Sequence, residues 1–255
     1  MFNENITHKL KDLHNVHGAY ALKASFEDEG VTDCDLSDLV LLSGGTGLKV
    51  YVKIGGCEAN RDIERCLRLG IKGVVAPMVE SEFAVSKFID SVSQRCSLFG
   101  IEKPKIFVNL ETELACKRAR KIIKSHYNSL DGIVVGRSDL SKSMGLAKAD
   151  VNDTKVMKVV QETLTIAKEY ELTTKMGGTV SSDSCAVISS LYNQGLLNFF
   201  ETRAVIYDLS KTFDIKRSIK QALEYEQMLL TRRQSFHGVK AKFFNDRIAN
   251  IEVRK

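Results

Sequence analysis

The chain has 255 residues, with 37 Lys and Arg against 32 Asp and Glu, a net charge of +5, six cysteines and two prolines. That length, with no Pro/Gly/Ser-rich linker, predicts one domain over 1–255. No run of roughly eighteen apolar residues is present to span a membrane, no basic stripe with interleaved aromatics points to nucleic acid, and scattered cysteines without a CxxC pair argue against a zinc site or a disulfide framework.

In chain order, residues 1–18 predict an N-terminal helical segment. The polar start MFNENITHKLKDL has no apolar leader, so the expected location is cytoplasmic. Ala21–Phe26 and Val50–Ile54 read as strands. Ala59–Leu69 reads as a helix, because Ile63, Cys66 and Leu67 fall at i, i+3, i+4 before Gly70. Strand Gly73–Met78, helix Phe83–Val92, strand Lys105–Leu110 and helix Glu113–Ser125 continue the alternation. Strand Gly132–Gly136 runs into a Ser/Lys/Gly-rich turn, followed by helix Val156–Tyr170, strand Thr173–Gly177, helix Asp183–Leu191 and strand Phe199–Ile206. A long helix from Ile215 to Arg233 begins a C-terminal extension over 212–255. Apolar strands alternating with helices predict a parallel sheet covered by helices. The expected fold is α/β, a TIM-like (β/α)8 barrel with seven strands readable.

Polar residues gather where the strands end. In a barrel those ends form one mouth, and that mouth is the active site. Glu111 and Asp139 each follow an apolar strand, a pattern that suits Mg²⁺ or Mn²⁺; Glu111 capping a helix, or pairing with Lys53 or Arg137, is the plainer alternative. Gly55-Gly56 and Gly177-Gly178 each end a strand two residues after a lysine, Lys53 or Lys175, and suit an anion held by backbone N–H groups. Arg137 reads as a cation near the mouth, in a substrate contact or in an ion pair. Cys57, beside a predicted helix start, offers a thiol-enzyme alternative.

The stretches KIGGCEANRDIERCLRLGIKGVVAPMVES, VNLET and DGIVVGRSDLSKSMG resemble the HpcH/HpaI aldolase and citrate lyase family, within the phosphoenolpyruvate/pyruvate group of TIM barrels. The likeness is strongest over Lys49 to Gly145. It implies metal ligands Glu111 and Asp139, a carboxylate cradle at Gly136, Ser138 and the Asp139 backbone, and Asn109 beside the pyruvate oxygen. Lys53 takes the place of the family's catalytic Arg, and Arg137 that of a family proline. A lysine is a point charge without the arginine fork. The family histidine has no counterpart in SFEDEG, which leaves Glu27, Asp28 and Glu58 as candidate bases, Glu58 preferred because it follows the Gly-Gly turn.

These residues together imply a metal-dependent carbon–carbon lyase, or the reverse condensation, acting on a 2-oxo acid through a pyruvate-like enolate. The expected partners are a small anionic substrate, with or without a phosphate, and further copies of the chain; neither nucleic acid nor membrane is expected. A phosphoenolpyruvate or acyl-thioester enzyme on the same barrel, and a non-catalytic metabolite-binding descendant, are the rival readings.

Overall fold

Eight short strands close into a barrel in chain order. The computed structural model describes residues 2–147, 149–236 and 241–254. Helix α1 (Phe2–Asn15) leads into β1 (Ala19–Ser25), α2 (Phe26–Glu29) and α3 (Asp33–Ser43). β2 (Lys49–Lys53) is followed by α4 (Asn60–Arg68), and β3 (Gly73–Ala76) by α5 (Glu82–Phe99). β4 (Lys105–Leu110) leads to α6 (Glu113–Lys117) and α7 (Ala119–His126), and β5 (Gly132–Gly136) to α8 (Arg137–Ser143) and α9 (Thr154–Glu169). β6 (Thr173–Gly177) and α10 (Cys185–Asn193) precede β7 (Phe199–Glu201) and β8 (Val205–Asp208). Helices α11 (Ile215–Phe236) and α12 (Ala241–Glu252) end the described chain. Residues 237–240 and 255 of the predicted extension lie outside the described residues.

β1 to β7 pair in parallel, but β8 is antiparallel to both β7 and β1. The missing eighth strand therefore lies inside the run read as one strand, Phe199–Ile206. The chain reverses over Thr202–Ala204, where the Thr202 N–H donates to the Val205 carbonyl (2.9 Å) and the Val205 N–H to Thr202 Oγ1 (3.2 Å). The apolar pairs on either side hid the turn, which carries no glycine, proline or asparagine.

Other boundaries moved for local reasons. Ser81 caps α5, its hydroxyl accepting from the Ala84 N–H at 3.1 Å, and α5 runs on to Gly100 in the left-handed conformation. The predicted helix Glu113–Ser125 breaks at Arg118 into α6 and α7. The stretch after Gly136, expected as a turn, is helix α8. Helix α3 went unread, although Thr32 and Asp35 cap it reciprocally.

Apolar side chains between strands and helices form the main core, and a second cluster (Ala21, Tyr51, Val75, Phe107, Val134, Ile206) fills the lumen. Each such side chain, fully buried, contributes roughly 1.5–3 kcal/mol. The lumen is packed by this cluster, so the polar strand ends gather at the mouth above it. Among the described residues no helix is long and apolar enough to cross a membrane.

Candidate active site at the barrel mouth

Two glycines shape the mouth. Gly136 and Gly177 are register partners at the ends of β5 and β6. A Cβ on Gly136 would lie 2.6 Å from Glu111 Oε2, and one on Gly177 would lie 2.9 Å from Glu201 Cγ. The paired glycines thus form a notch, with one carboxylate leaning over it from β4 and the other from β7.

Glu111 is buried. Its Oε1 accepts from the Met78 N–H and its Oε2 from the Asn109 amide, both at 2.9 Å. Burial raises its pKa; Lys53 and these two donors oppose the rise, and Asp139 adds to it. Asp139 stands in the first turn of α8, 45% exposed, with Lys142 at 3.8 Å. Lys53 ends β2 in an ion pair with Asp28. Burial works against its charge, but the Asp28 hydrogen bond and the charges of Glu111, Asp28 and Asp139 outweigh burial and raise its pKa. Lys53 is therefore a fixed cation and not a proton acceptor at neutral pH.

Below this level Lys23 of β1 pairs with Glu201. Four buried polar atoms of the mouth and lumen, Ser25 Oγ, Asn109 Oδ1, Lys175 Nζ and Glu201 Oε2, have no hydrogen-bond partner among the described residues. Buried polar groups are ordinarily satisfied, so such a cluster marks a place built to meet something else. Met78 and Thr179, on the loops after β3 and β6, hold left-handed backbones (φ 52° and 45°). Strain of that kind concentrates at functional sites.

Several expectations are corrected. Glu58, preferred as base, is 57% exposed and pairs with Lys87 of α5 at 2.7 Å, away from Glu111. Arg137 faces inward and is 0% exposed. Its Nε donates to the Gly177 carbonyl (3.1 Å), Nη1 to Asn152 Oδ1 (2.5 Å), and Nη2 to the Gly178 carbonyl and Ser184 Oγ (3.1 and 3.2 Å). Burial lowers its pKa to about 10, so it stays charged and braces the β6 loop instead of reading a substrate. The Gly55 N–H donates to Asp62 Oδ2 (2.8 Å), and a Cβ there would meet Glu27 Oε1 at 2.7 Å. Carboxylates thus crowd Gly55, which argues against an anion cradle there; Gly56 has open space beside its Cα.

Lys175 lies inside the lumen, 1% exposed, with Nζ 3.4 Å from the Phe107 ring centroid and 4.2 Å from that of Tyr51. It does not present its amine at the rim beside the second glycine pair. Ser138 shares a hydrogen bond with Thr179 (2.7 Å). Burial, with Glu58 adding, raises the pKa of Cys57, the opposite of an activated thiol. Sequence reasoning missed the roles of Asp28, Met78 and Glu201. Glu201 lay inside the run read as one strand, Phe199–Ile206, and nothing in the sequence marks Met78.

A barrel with its polar side chains gathered at the C-terminal strand ends defines a TIM-type α/β protein with its candidate active site at the usual end. The HpcH/HpaI aldolase/citrate lyase family model matches residues 40–184, and the chain belongs to that family. The fold is similar to that of an HpcH/HpaI aldolase from Desulfitobacterium hafniense, at 15% identity over 79% of this chain and 83% of that one, TM-score 0.61. It is similar to the citrate synthase SbnG at 17% identity over 90% and 89%, TM-score 0.61. It also resembles macrophomate synthase, at 16% identity over 77% and 73%, TM-score 0.57. Comparison with the curated proteins gives no match.

Proposed function

We propose that this chain is a divalent-metal-dependent carbon–carbon lyase, or catalyses the reverse condensation, acting on a 2-oxo acid through a pyruvate-like enolate. The observation that carries the reading is the grouping of Glu111, Asp139 and Lys53 at one barrel mouth, in a chain of the aldolase/citrate lyase family. Glu111 and Asp139 would hold the metal. Two hard carboxylates suit Mg²⁺ or Mn²⁺, which keep room for waters and an oxyacid. Each Glu111 oxygen has one N–H donor and so a further lone pair, and Gly136 leaves the space its carboxylate occupies. A bound metal supplies Lewis-acid stabilisation of the enolate oxygen.

The chain's own residues do the rest. Lys53, held charged by Asp28, stabilises developing negative charge at the same oxygen. Asn109, oriented by its bond to Glu111, has its amide oxygen without a partner among the described residues and able to accept a hydrogen bond from the substrate. The mouth is less basic than its sequence suggests. Lys23, Lys53 and Arg203 each face a carboxylate, while Arg137 and Lys175 are buried. This favours a small oxo acid over a phosphorylated one.

The test is proton exchange on pyruvate in D₂O, followed by NMR of the methyl group. Metal-dependent exchange that disappears in Glu111→Gln and Asp139→Asn is expected. Exchange independent of metal, or absent with both Mg²⁺ and Mn²⁺, overturns the reading.

A further inference from the structure

An enolate enzyme needs a proton acceptor, and the sequence candidate Glu58 is turned away at the surface. Besides Glu111, the mouth holds a second buried carboxylate. Glu201 is the last residue of β7 and so reaches the mouth end of the barrel. It pairs across the sheet with Ile206 of the lumen cluster, which places its side chain inside. Lys23 holds Oε1, while Oε2 is buried without a partner among the described residues. The carboxylate fills the space that a Gly177 side chain would take, on the same two-glycine notch that Glu111 overhangs.

Resting on the enolate reading above, we propose that Glu201 is the proton acceptor at the floor of this mouth, oriented by Lys23 and coupled to the buried amine of Lys175. In the forward step the C3–H bond of the oxo acid breaks and its electron pair forms the C2=C3 bond. The C2 carbonyl pair moves onto oxygen, and the proton joins Glu201 Oε2. The reverse step returns that proton to C3.

Lys175 is the second half of the device. Its amine has no hydrogen-bond partner among the described residues and rests on the faces of Phe107 and Tyr51, with Phe199 farther off at 5.8 Å. Burial lowers its pKa to about 7; Glu201 works against that fall, Lys23 adds to it, and Asp131 opposes it weakly. The groups that face it are Glu201 from β7, Lys23 from β1, Tyr51 from β2 and Asp131 ahead of β5. When Glu201 takes a proton, the negative charge that favours the Lys175 ammonium is lost. The proton affinity of the Lys175 amine then falls, because two cations in the lumen would lack a countercharge.

The experiment uses the full-length protein with ¹³Cε-labelled lysine, the Lys175 signal being assigned by its loss in Lys175→Met. The wild-type signal is expected to titrate near neutrality, and its midpoint to fall in Glu201→Gln. An otherwise unchanged lysine spectrum shows that the variant is folded. In the same variant, pyruvate exchange is expected to drop on the order of 100-fold or more, as for loss of a general base, with little change in KM and partial recovery in Glu201→Asp. A Lys175 midpoint indifferent to Glu201→Gln, or exchange within about threefold of wild type, overturns the proposal. A wild type without exchange refutes the lyase reading; wild-type exchange that survives Glu201→Gln refutes the acceptor alone.

Discussion

Replacing Lys175 by methionine keeps most of the side-chain volume and removes the buried amine. The folded-state pKa is about 7, against the usual 10.5 in an unfolded chain, because burial disfavours the charge. Between those values the unfolded chain binds more protons than the folded one, so this group makes stability rise with pH through that window. Below about pH 7 both states carry the proton and the full cost of the buried cation is felt. From pH 6 to 9, with a slope approaching about 1.4 kcal/mol per unit between the two pKa values, the wild type gains roughly 2.7 kcal/mol that Lys175→Met lacks. Chemical denaturation of both proteins at pH 6, 7, 8 and 9 isolates the difference, since other groups titrate in both. The variant's advantage is expected to be greatest at pH 6 and to shrink by roughly that amount by pH 9. An advantage constant within about 0.5 kcal/mol would falsify the claim that Lys175 is neutralised by burial.

Arg137→Leu removes the donor for the Gly177 and Gly178 carbonyls, Asn152 and Ser184, and is expected to cost about 3–5 kcal/mol, read as a melting temperature lower by on the order of 10 °C. Gly178→Ala forces a side chain onto φ +91° and brings Cβ to 2.5 Å from the Ser138 nitrogen; a loss of at least about 1–3 kcal/mol in denaturant is expected. Gly56→Ala, with open space beside it and no positive φ, serves as the silent control. Glu58→Gln breaks an exposed pair with Lys87, so stability is expected to change by less than about 1 kcal/mol and pyruvate exchange by less than about twofold.

Much of the barrel was legible because the strands carry apolar, β-branched runs of strand length between amphipathic segments; Lys105–Leu110, Gly132–Gly136 and Thr173–Gly177 fall where they were read. Strand direction was not legible. Alternating faces look the same up or down a strand, and the β7–β8 reversal uses no turn-forming residue. The mouth was legible as a place, since a residue ending a parallel strand must point there. Its pairings were not. Lys53 finds Asp28 of α2, a contact no local pattern encodes. Arg137 sits one residue past a strand end, yet the start of α8 turns it inward beneath the β6 loop. One residue of phase separates a substrate contact from a buried brace.

The reversed eighth strand also changes the field at the entrance. The helices that follow β1 to β6 begin at the mouth, each bringing the positive end of its dipole there. β8 ends at the opposite face, so α11 climbs the other way. Near its start Ser218 bonds to the His17 carbonyl ahead of β1, and near its end Arg232 and Arg233 pair with Asp38 and Asp35 of α3. Its 22 residues, about 33 Å long, therefore carry the negative end up to the rim beside Arg203. The entrance is polarised from side to side. On the α11 side that pole is met by Arg232 and Arg233, while the arc from β2 to β6 brings helix N-termini toward Lys53, Glu111 and the glycine notch.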